Sequence, residues 1–323
     1  MERKNQLISR DTNTLVIQDF NSLVSRFISF LDVKPKSAKT YTTSLKQFER
    51  FLQRKGITSP QRSDVIEYRE ELKETHKSTT VQAYITAVKL FFQWTETEAI
   101  YPDITRHLKG AKISKTHKKD ALTVDQVQAM LQVVDRSTMQ GARDYAILCL
   151  MITGGLRDIE INRANIEDLR TVGLASVLYV QGKGQEEKAE YIKLSKETDQ
   201  AIRDYLQLRN QKEQIKKDQP LFTSLSNNSI LKRLSTRSIS GIAKRYLRLI
   251  GLDSERLTAH SLRHTAVTLA LIGGATLQEA SQFARHSDIS TTQIYAHNLD
   301  RITNPCTGLI SSTIFTTDRK EQK

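Results

Sequence analysis

His286-Ser287-Asp288-Ile289-Ser290-Thr291-Thr292-Gln293-Ile294-Tyr295 closes an ordered series of polar groups, with the tyrosine nine residues after the histidine. Upstream stands His260-Ser261-Leu262-Arg263-His264, and far upstream of that Gly154-Gly155-Leu156-Arg157-Asp158-Ile159-Glu160. Between the two arginines lies Gly182-Lys183-Gly184, at the tip of a predicted β-hairpin. Two arginines, two histidines, a lysine and a late tyrosine, in that order, read as a phosphate-transfer site whose nucleophile is a phenol.

Each group has a task in such chemistry. Attack on a DNA phosphodiester builds negative charge on its non-bridging oxygens. Two guanidinium forks hold those oxygens bidentately and stay charged at any working pH. Fixed donors aimed at developing charge are usually the largest catalytic contribution. A tyrosine hydroxyl ordinarily titrates near ~10; nearby cations lower that value, and a histidine can take the proton. Attack by the phenolate leaves a covalent phosphotyrosine. The expelled sugar oxygen needs a proton, which a lysine on a hairpin tip can deliver.

These motifs resemble those of the tyrosine recombinase (phage integrase) family, the relatives of the Xer and Cre recombinases. Its first catalytic arginine lies in a motif like T-G-L-R-x-x-E, matched by Gly154 to Glu160, and its lysine in a G-K-G hairpin, matched by Gly182 to Gly184. Its H-x-L-R-H motif is His260 to His264, and its closing L-G-H-S-x-x-x-T-T-x-x-Y is followed from His286 to Tyr295. The resemblance implies that Arg157, Lys183, His260, Arg263 and His286 are catalytic, that Tyr295 is the nucleophile, and that Glu160 is a supporting carboxylate. Two departures stand out: Gly-Gly follows Thr153, and Ala284-Arg285 replaces Leu-Gly before His286. The second is expected to alter DNA contact or local packing rather than to remove chemistry.

Composition agrees. The chain has 323 residues, a length that suits two domains, and a formal net charge of +13, which favours a polyanionic partner. Its two cysteines, Cys149 and Cys306, give neither a disulfide framework nor a metal signature and fit a reducing cytosol. Cys149 lies in the apolar run Tyr145 to Ile152 and reads as core. A zinc site is disfavoured, because Arg263 amid the histidines repels a cation and no H-E-x-x-H pattern is present. No metal or cofactor is expected. No P-loop occurs, which fits a transesterification that needs no ATP. No apolar stretch reaches membrane-spanning length, and the expected location is the cytoplasm, on the nucleoid.

Helical spacing of Phe20, Val24, Phe27 and Leu31 opens an N-terminal bundle. A second helix, capped by Ser37, carries Tyr41, Leu45, Phe48 and Leu52 inward and ends at Gly56. A third is capped by Ser63 and runs through Leu72, and a fourth is capped by Ser78, with Trp94 in the core. Lys39, Lys46, Arg50 and Gln82 fall on polar faces as DNA-contact candidates. The basic stretch Lys109 to Lys119, including Lys112 and Lys115, reads as an interdomain linker able to neutralise phosphates. Beyond it, Thr123-x-x-Gln126 and Thr276-x-x-Glu279 are capping boxes that open helices. Ala175 to Gln181 and Lys188 to Leu194 read as strands. A later helix carries Lys244, Arg245 and Arg248, with Arg237 upstream, as further DNA-contact candidates. Polar neighbours Thr291, Thr292 and Gln293 suggest an exposed hydroxyl on Tyr295.

The expected organisation is a leader over 1–18, a helical SAM-like core-binding domain over 19–108, a linker over 109–120, a catalytic domain over 121–300 and a tail over 301–323. The fold class expected is mainly α with a small antiparallel sheet, the two domains closing on DNA as a C-shaped clamp. The short leader leaves little room for an arm-site-binding domain. By resemblance, the chain is a site-specific recombinase that cuts and rejoins double-stranded DNA at inverted-repeat core sites through a 3′-phosphotyrosine. The resemblance further implies a homo-tetramer on two sites, a tail that docks on a neighbouring protomer, and room for accessory DNA-bending proteins. A type IB topoisomerase and a non-catalytic DNA-binding regulator are the alternative classes. The stretch Arg301 to Pro305 gives no strong helix signal, although Leu309 to Phe315 is apolar.

Overall fold

Every third or fourth residue of α1 (Phe20–Phe30) and α2 (Pro35–Lys55) is apolar, and these stripes meet in a bundle with α3 (Arg62–Thr75) and α4 (Ser78–Thr97). A computed structural model describes residues 20–112, 120–182, 185–303 and 305–315. The chain divides into two compact units, Met1–Lys115 and Thr116–Lys323.

Aromatic rings fill the core of the first unit. Phe20 meets Phe91 at 5.3 Å between centroids, and Phe48 meets Tyr68 at 5.1 Å. Trp94 is buried in the same core, as expected. Gly56 closes α2 with φ 67°, also as expected. The helix starts differ from the sequence reading. Pro35 is itself the first residue of α2, because its missing N–H and fixed φ suit that position. Ser37 and Ser78 therefore lie inside their helices, and Ser63 does too, since α3 is opened by Gln61, whose N–H donates to the Asp64 carboxylate at 2.6 Å.

The second unit is built around α6 (Met139–Thr153), which is buried on nearly every side and packs against α8 (Lys196–Asn210), α10 (Ala259–Ile272) and α9 (Thr236–Leu249). Cys149 is part of that buried helix, as read from the sequence. The capping box at Thr123 opens α5 (Val124–Gln132), and α7 (Asp158–Arg163) follows α6 through the Gly-Gly turn. A three-stranded antiparallel sheet follows, β1 (Leu169–Val172), β2 (Ala175–Val180) and β3 (Glu190–Lys193), in the order β1-β2-β3. Its register sets Leu178 between Leu169 and Ile192. β1 escaped the sequence reading because Leu169-Arg170-Thr171-Val172 is short and mostly exposed.

The chain ends in α11 (Leu277–Ala284), α12 (Ser290–Thr303) and α13 (Cys306–Phe315). α11 is opened by the capping box at Thr276, as expected. Around Arg301, where the sequence carries no strong helix signal, α12 runs through Thr303, and α13 carries the apolar tail with Leu309, Ile310 and Ile314 exposed. Among the described residues, no helix is long and apolar enough to cross a membrane.

Candidate active site

The Gly154-Gly155 turn delivers the first arginine. Gly155 sits at φ +58°, a backbone conformation that favours glycine. Gly154 has no room for a side chain, since a Cβ would come within 2.7 Å of Leu156 Cδ1 and 2.8 Å of the Leu150 carbonyl oxygen. Arg157 then stands at the N-cap of α7. Glu160, fully buried in the first turn of that helix, takes the Arg157 backbone N–H at 2.9 Å on Oε2 and its Nη1 at 2.7 Å on Oε1. Burial works to raise the Glu160 carboxyl, but Arg285 and then Arg157 outweigh it and hold the group below the usual carboxylate range.

The first turn of α10 supplies His260 and Arg263. Arg263 is 1% exposed and donates Nη1 to the Gly155 carbonyl and Nη2 to the Ala284 carbonyl. Desolvation, and next the repulsion of Arg157, push it down to about 9, so it remains a cation at neutral pH. His286 follows the C-cap of α11, and its Nδ1 pairs with the Thr292 hydroxyl at 2.8 Å. Burial first, then Arg263, Arg157 and Arg285, push His286 down to about 4, leaving a neutral ring.

Tyr295 lies on α12 and is buried, 5% exposed, against Val267, Ala280 and Ala284. Its ring centroid is 4.9 Å from that of His264 and 6.3 Å from that of His286. The expected exposed hydroxyl is thus corrected: the polar run around Tyr295 faces outward on α12 in part, while the phenol turns inward. The expected lowering of its pKa is corrected too. Desolvation raises it to about 12, against the opposing pull of Arg263 and Arg157.

Arg157, His260, Arg263, His286 and Tyr295 line one cavity of about 230 Å³, together with His264, Ser287 and Thr291. A neighbouring cavity of about 180 Å³ is shared by Arg157, His260 and Arg263 with Thr258 and Ala259 at the start of α10. The positive end of a helix dipole adds there to two guanidinium groups, against the one carboxylate of Asp158 that also lines the cavity. Lys183 lies outside the described residues. The residues on either side of that gap, Gly182 and Gln185, line a further cavity of about 700 Å³ with Arg157, Arg285 and His286. Lys188, the nearest other lysine, is tied to the buried Asp168.

Three residues were missed by the sequence reading of the site. His264 stands one helical turn beyond His260, with centroids 4.6 Å apart, and braces Tyr295. Thr292 orients His286. Arg285, noted only as a departure before His286, has a side chain that is 8% exposed and donates Nη2 to Glu160 Oε2 at 2.9 Å.

The DNA-contact candidates fare differently from one another. Lys39, Lys46 and Arg50 are exposed on α2, Lys112 is exposed, and Arg237 is exposed in the first turn of α9. Gln82 is half-buried and donates to the Thr86 hydroxyl at 3.2 Å. Lys115 lies outside the described residues. Lys244 is engaged by Asp253 and by the Ser254 carbonyl, each at 2.8 Å. Arg245 pairs with the fully buried Asp144 and lies 4.9 Å over the Tyr246 ring. Both of these cations already serve the fold.

The chain matches the phage integrase family over residues 120–301 and the phage integrase N-terminal SAM-like domain over residues 24–99. It is 32% identical to the tyrosine recombinase XerC of Caldanaerobacter subterraneus over 216 residues, which span 66% of this chain and 57% of that one. It is 28% identical to XerC of Chlamydia caviae over 305 residues, 85% of this chain and 95% of that one. Its fold is similar to the XerH site-specific recombinase in a post-cleavage complex with palindromic difH substrate, with TM-score 0.71 and 17% identity over 89% of this chain and 84% of that one. The chain therefore belongs to the phage integrase family and is a tyrosine recombinase, an enzyme of site-specific DNA strand exchange.

Proposed function

We propose that this enzyme recombines core sites on double-stranded DNA with Tyr295 as nucleophile. The observation that carries the reading is the convergence of Arg157, His260, Arg263, His286 and Tyr295 on one cavity from four separate places in the chain. Arg157 and Arg263 hold the two non-bridging oxygens of the scissile phosphate and stabilise the charge that builds on them. The phenolic oxygen attacks phosphorus as its proton passes to a histidine, His260 by its place beside the cavity. The bond from phosphorus to the 5′-oxygen breaks, and Lys183 protonates that oxygen. His286, kept neutral, donates to a non-bridging oxygen. The resulting 3′-phosphotyrosine is then attacked by a 5′-hydroxyl of the partner duplex, which releases the phenol and reseals the strand.

The exposed Lys39, Lys46, Arg50, Lys112 and Arg237 are suited to backbone contacts on the same duplex. The exposed apolar residues Leu309, Ile310 and Ile314 of α13 support a protomer-to-protomer contact within a tetramer on two inverted-repeat sites. The working compartment proposed is the cytoplasm, on chromosomal or phage DNA. A nicked suicide substrate tests the reading. Wild type should form a denaturation-resistant DNA adduct, and Tyr295→Phe should bind the site yet form none. An equal adduct from the variant would refute the assignment of Tyr295. A two-site recombination assay beside a supercoil-relaxation assay separates strand exchange from a topoisomerase activity.

A further inference from the structure

Arg285 occupies the C-cap of α11 in the left-handed region, at φ 52° and ψ 48°. Glycine is the residue that adopts this backbone without cost, and the related motif has glycine there. An arginine kept in such a place is held by its side chain. That side chain is buried, 8% exposed, and makes three contacts: Nη1 to the Phe283 carbonyl at 2.9 Å, Nη2 to Glu160 Oε2 at 2.9 Å, and Nη2 to the Gly155 carbonyl at 3.3 Å. Its Nε has no hydrogen-bond partner among the described residues. Its own carbonyl accepts Arg157 Nη2 at 3.3 Å.

These contacts form a closed frame. Glu160 grips Arg157 with Oε1 and Arg285 with Oε2, while Arg157 leans on the Arg285 carbonyl. Gly155, one of the two carbonyls that hold Arg263, also accepts from Arg285. One residue is thus joined to the supports of both arginines that face the cavity. With Arg285 neutralising Glu160, the buried carboxylate no longer draws its whole compensation from Arg157.

We propose that Arg285 is a positioning residue of the active site, which fixes Glu160 and, through it, sets the Arg157 guanidinium for the scissile phosphate. This rests on the reading of Tyr295 as nucleophile and of Arg157 as a phosphate-holding group. Arg285 does not line the 230 Å³ cavity around Tyr295, although it lines the adjoining 700 Å³ cavity with Arg157 and His286, and the proposal takes its effect to pass through Glu160.

The test is single-turnover cleavage of a suicide substrate at saturating DNA, beside site binding by gel shift. Arg285→Gly supplies the residue best suited to this backbone, so it removes the side chain without adding backbone strain. The expected result is a cleavage rate lower by roughly tenfold or more, as for one lost transition-state interaction, with site binding nearly unchanged. Arg285→Lys, which keeps a cation within reach of Glu160, should recover part of the rate. Placed on Glu160→Gln, the Arg285→Gly change should cost little further, because coupled residues are non-additive. Wild-type cleavage by Arg285→Gly, or losses that simply multiply in the double variant, would overturn the proposal. Arg285→Asn, neutral and tolerant of this backbone, carries the same expectation if the glycine variant does not fold. Failure of both to fold would assign Arg285 to the fold and not to the site. A wild-type protein that forms no adduct would instead defeat the reading of Tyr295.

Discussion

The His264 ring lies against that of Tyr295, with centroids 4.9 Å apart and planes inclined by 38°. The proposed nucleophile is therefore largely covered, at 5% exposed. A phenol is ordinarily protonated at neutral pH, and burial strengthens that preference despite two guanidinium groups lining the same cavity. In the proposed mechanism that proton is lost in the cleavage step itself, to a histidine, as the phenolic oxygen bonds to phosphorus.

The phenol of Tyr295 should consequently titrate late. Its pKa is raised to about 12, so the fold favours the protonated form. Any stability this confers is present below the ordinary value near ~10 and is lost as pH rises through the folded value. An ultraviolet difference titration of wild type against Tyr295→Phe should be nearly flat through the range where ordinary tyrosines ionise. A step at that ordinary range would show the phenol to be solvated.

His286 gives the opposite sign. Its pKa is lowered to about 4, so the unfolded chain binds a proton that the folded chain refuses. Stability from this group is complete above the ordinary value near ~6.5 and is lost as pH falls towards the folded value, with a total on the order of 1–3 kcal/mol. Chemical denaturation of wild type should weaken over that window by more than His286→Gln, which retains an amide for Thr292. Parallel curves for the two proteins would contradict the neutral buried ring.

Gly154→Ala should damage both fold and chemistry. The new methyl meets Leu156 Cδ1, Ile192 Cδ1 and the Leu150 carbonyl oxygen, all within 2.8 Å. Overpacking of this kind costs about 1–3 kcal/mol, and relief by backbone movement would carry Arg157 with it. A lower melting temperature together with slower cleavage of a suicide substrate is expected. Unchanged melting would mean the turn is looser than its contacts indicate.

Lys183 can be tested by the leaving group. Lys183→Ala should cleave ordinary DNA more slowly by roughly a hundredfold, as for lost acid catalysis. The same variant should cleave 5′-bridging phosphorothiolate DNA at close to the wild-type rate, because a thiolate departs without a proton. Arg157→Ala should show no such rescue, since its work is on the non-bridging oxygens. Absence of rescue for Lys183→Ala would make the hairpin lysine a DNA-positioning group. Lys188 is a poor substitute, being held by the buried Asp168.

Much of the architecture could be read locally. The bundle stripes of α1 to α4, the capping boxes at Thr123 and Thr276, and the buried run around Cys149 each depend on residues within a few positions of one another. Such signals survive in the sequence because helix periodicity and capping act over a single turn. Helix starts were displaced where a serine stood beside a residue equally able to begin the helix, as at Pro35. The sheet was incomplete because β1 has too few apolar residues to alternate.

The sequence by itself determined the order and kind of the groups proposed to react: Arg157, Lys183, His260, Arg263, His286 and Tyr295. It could do so because those groups sit in short motifs whose residues are close along the chain. Only the tertiary structure decided the state of those groups. Arg285 and Glu160 are far apart in sequence yet share an ion pair at 2.9 Å. Tyr295 sits in a polar stretch of sequence yet is buried, and His264 closes over it from another helix. Desolvation and long-range ion pairing arise from atoms that only folding brings together, and they set whether a named side chain is charged, covered or poised.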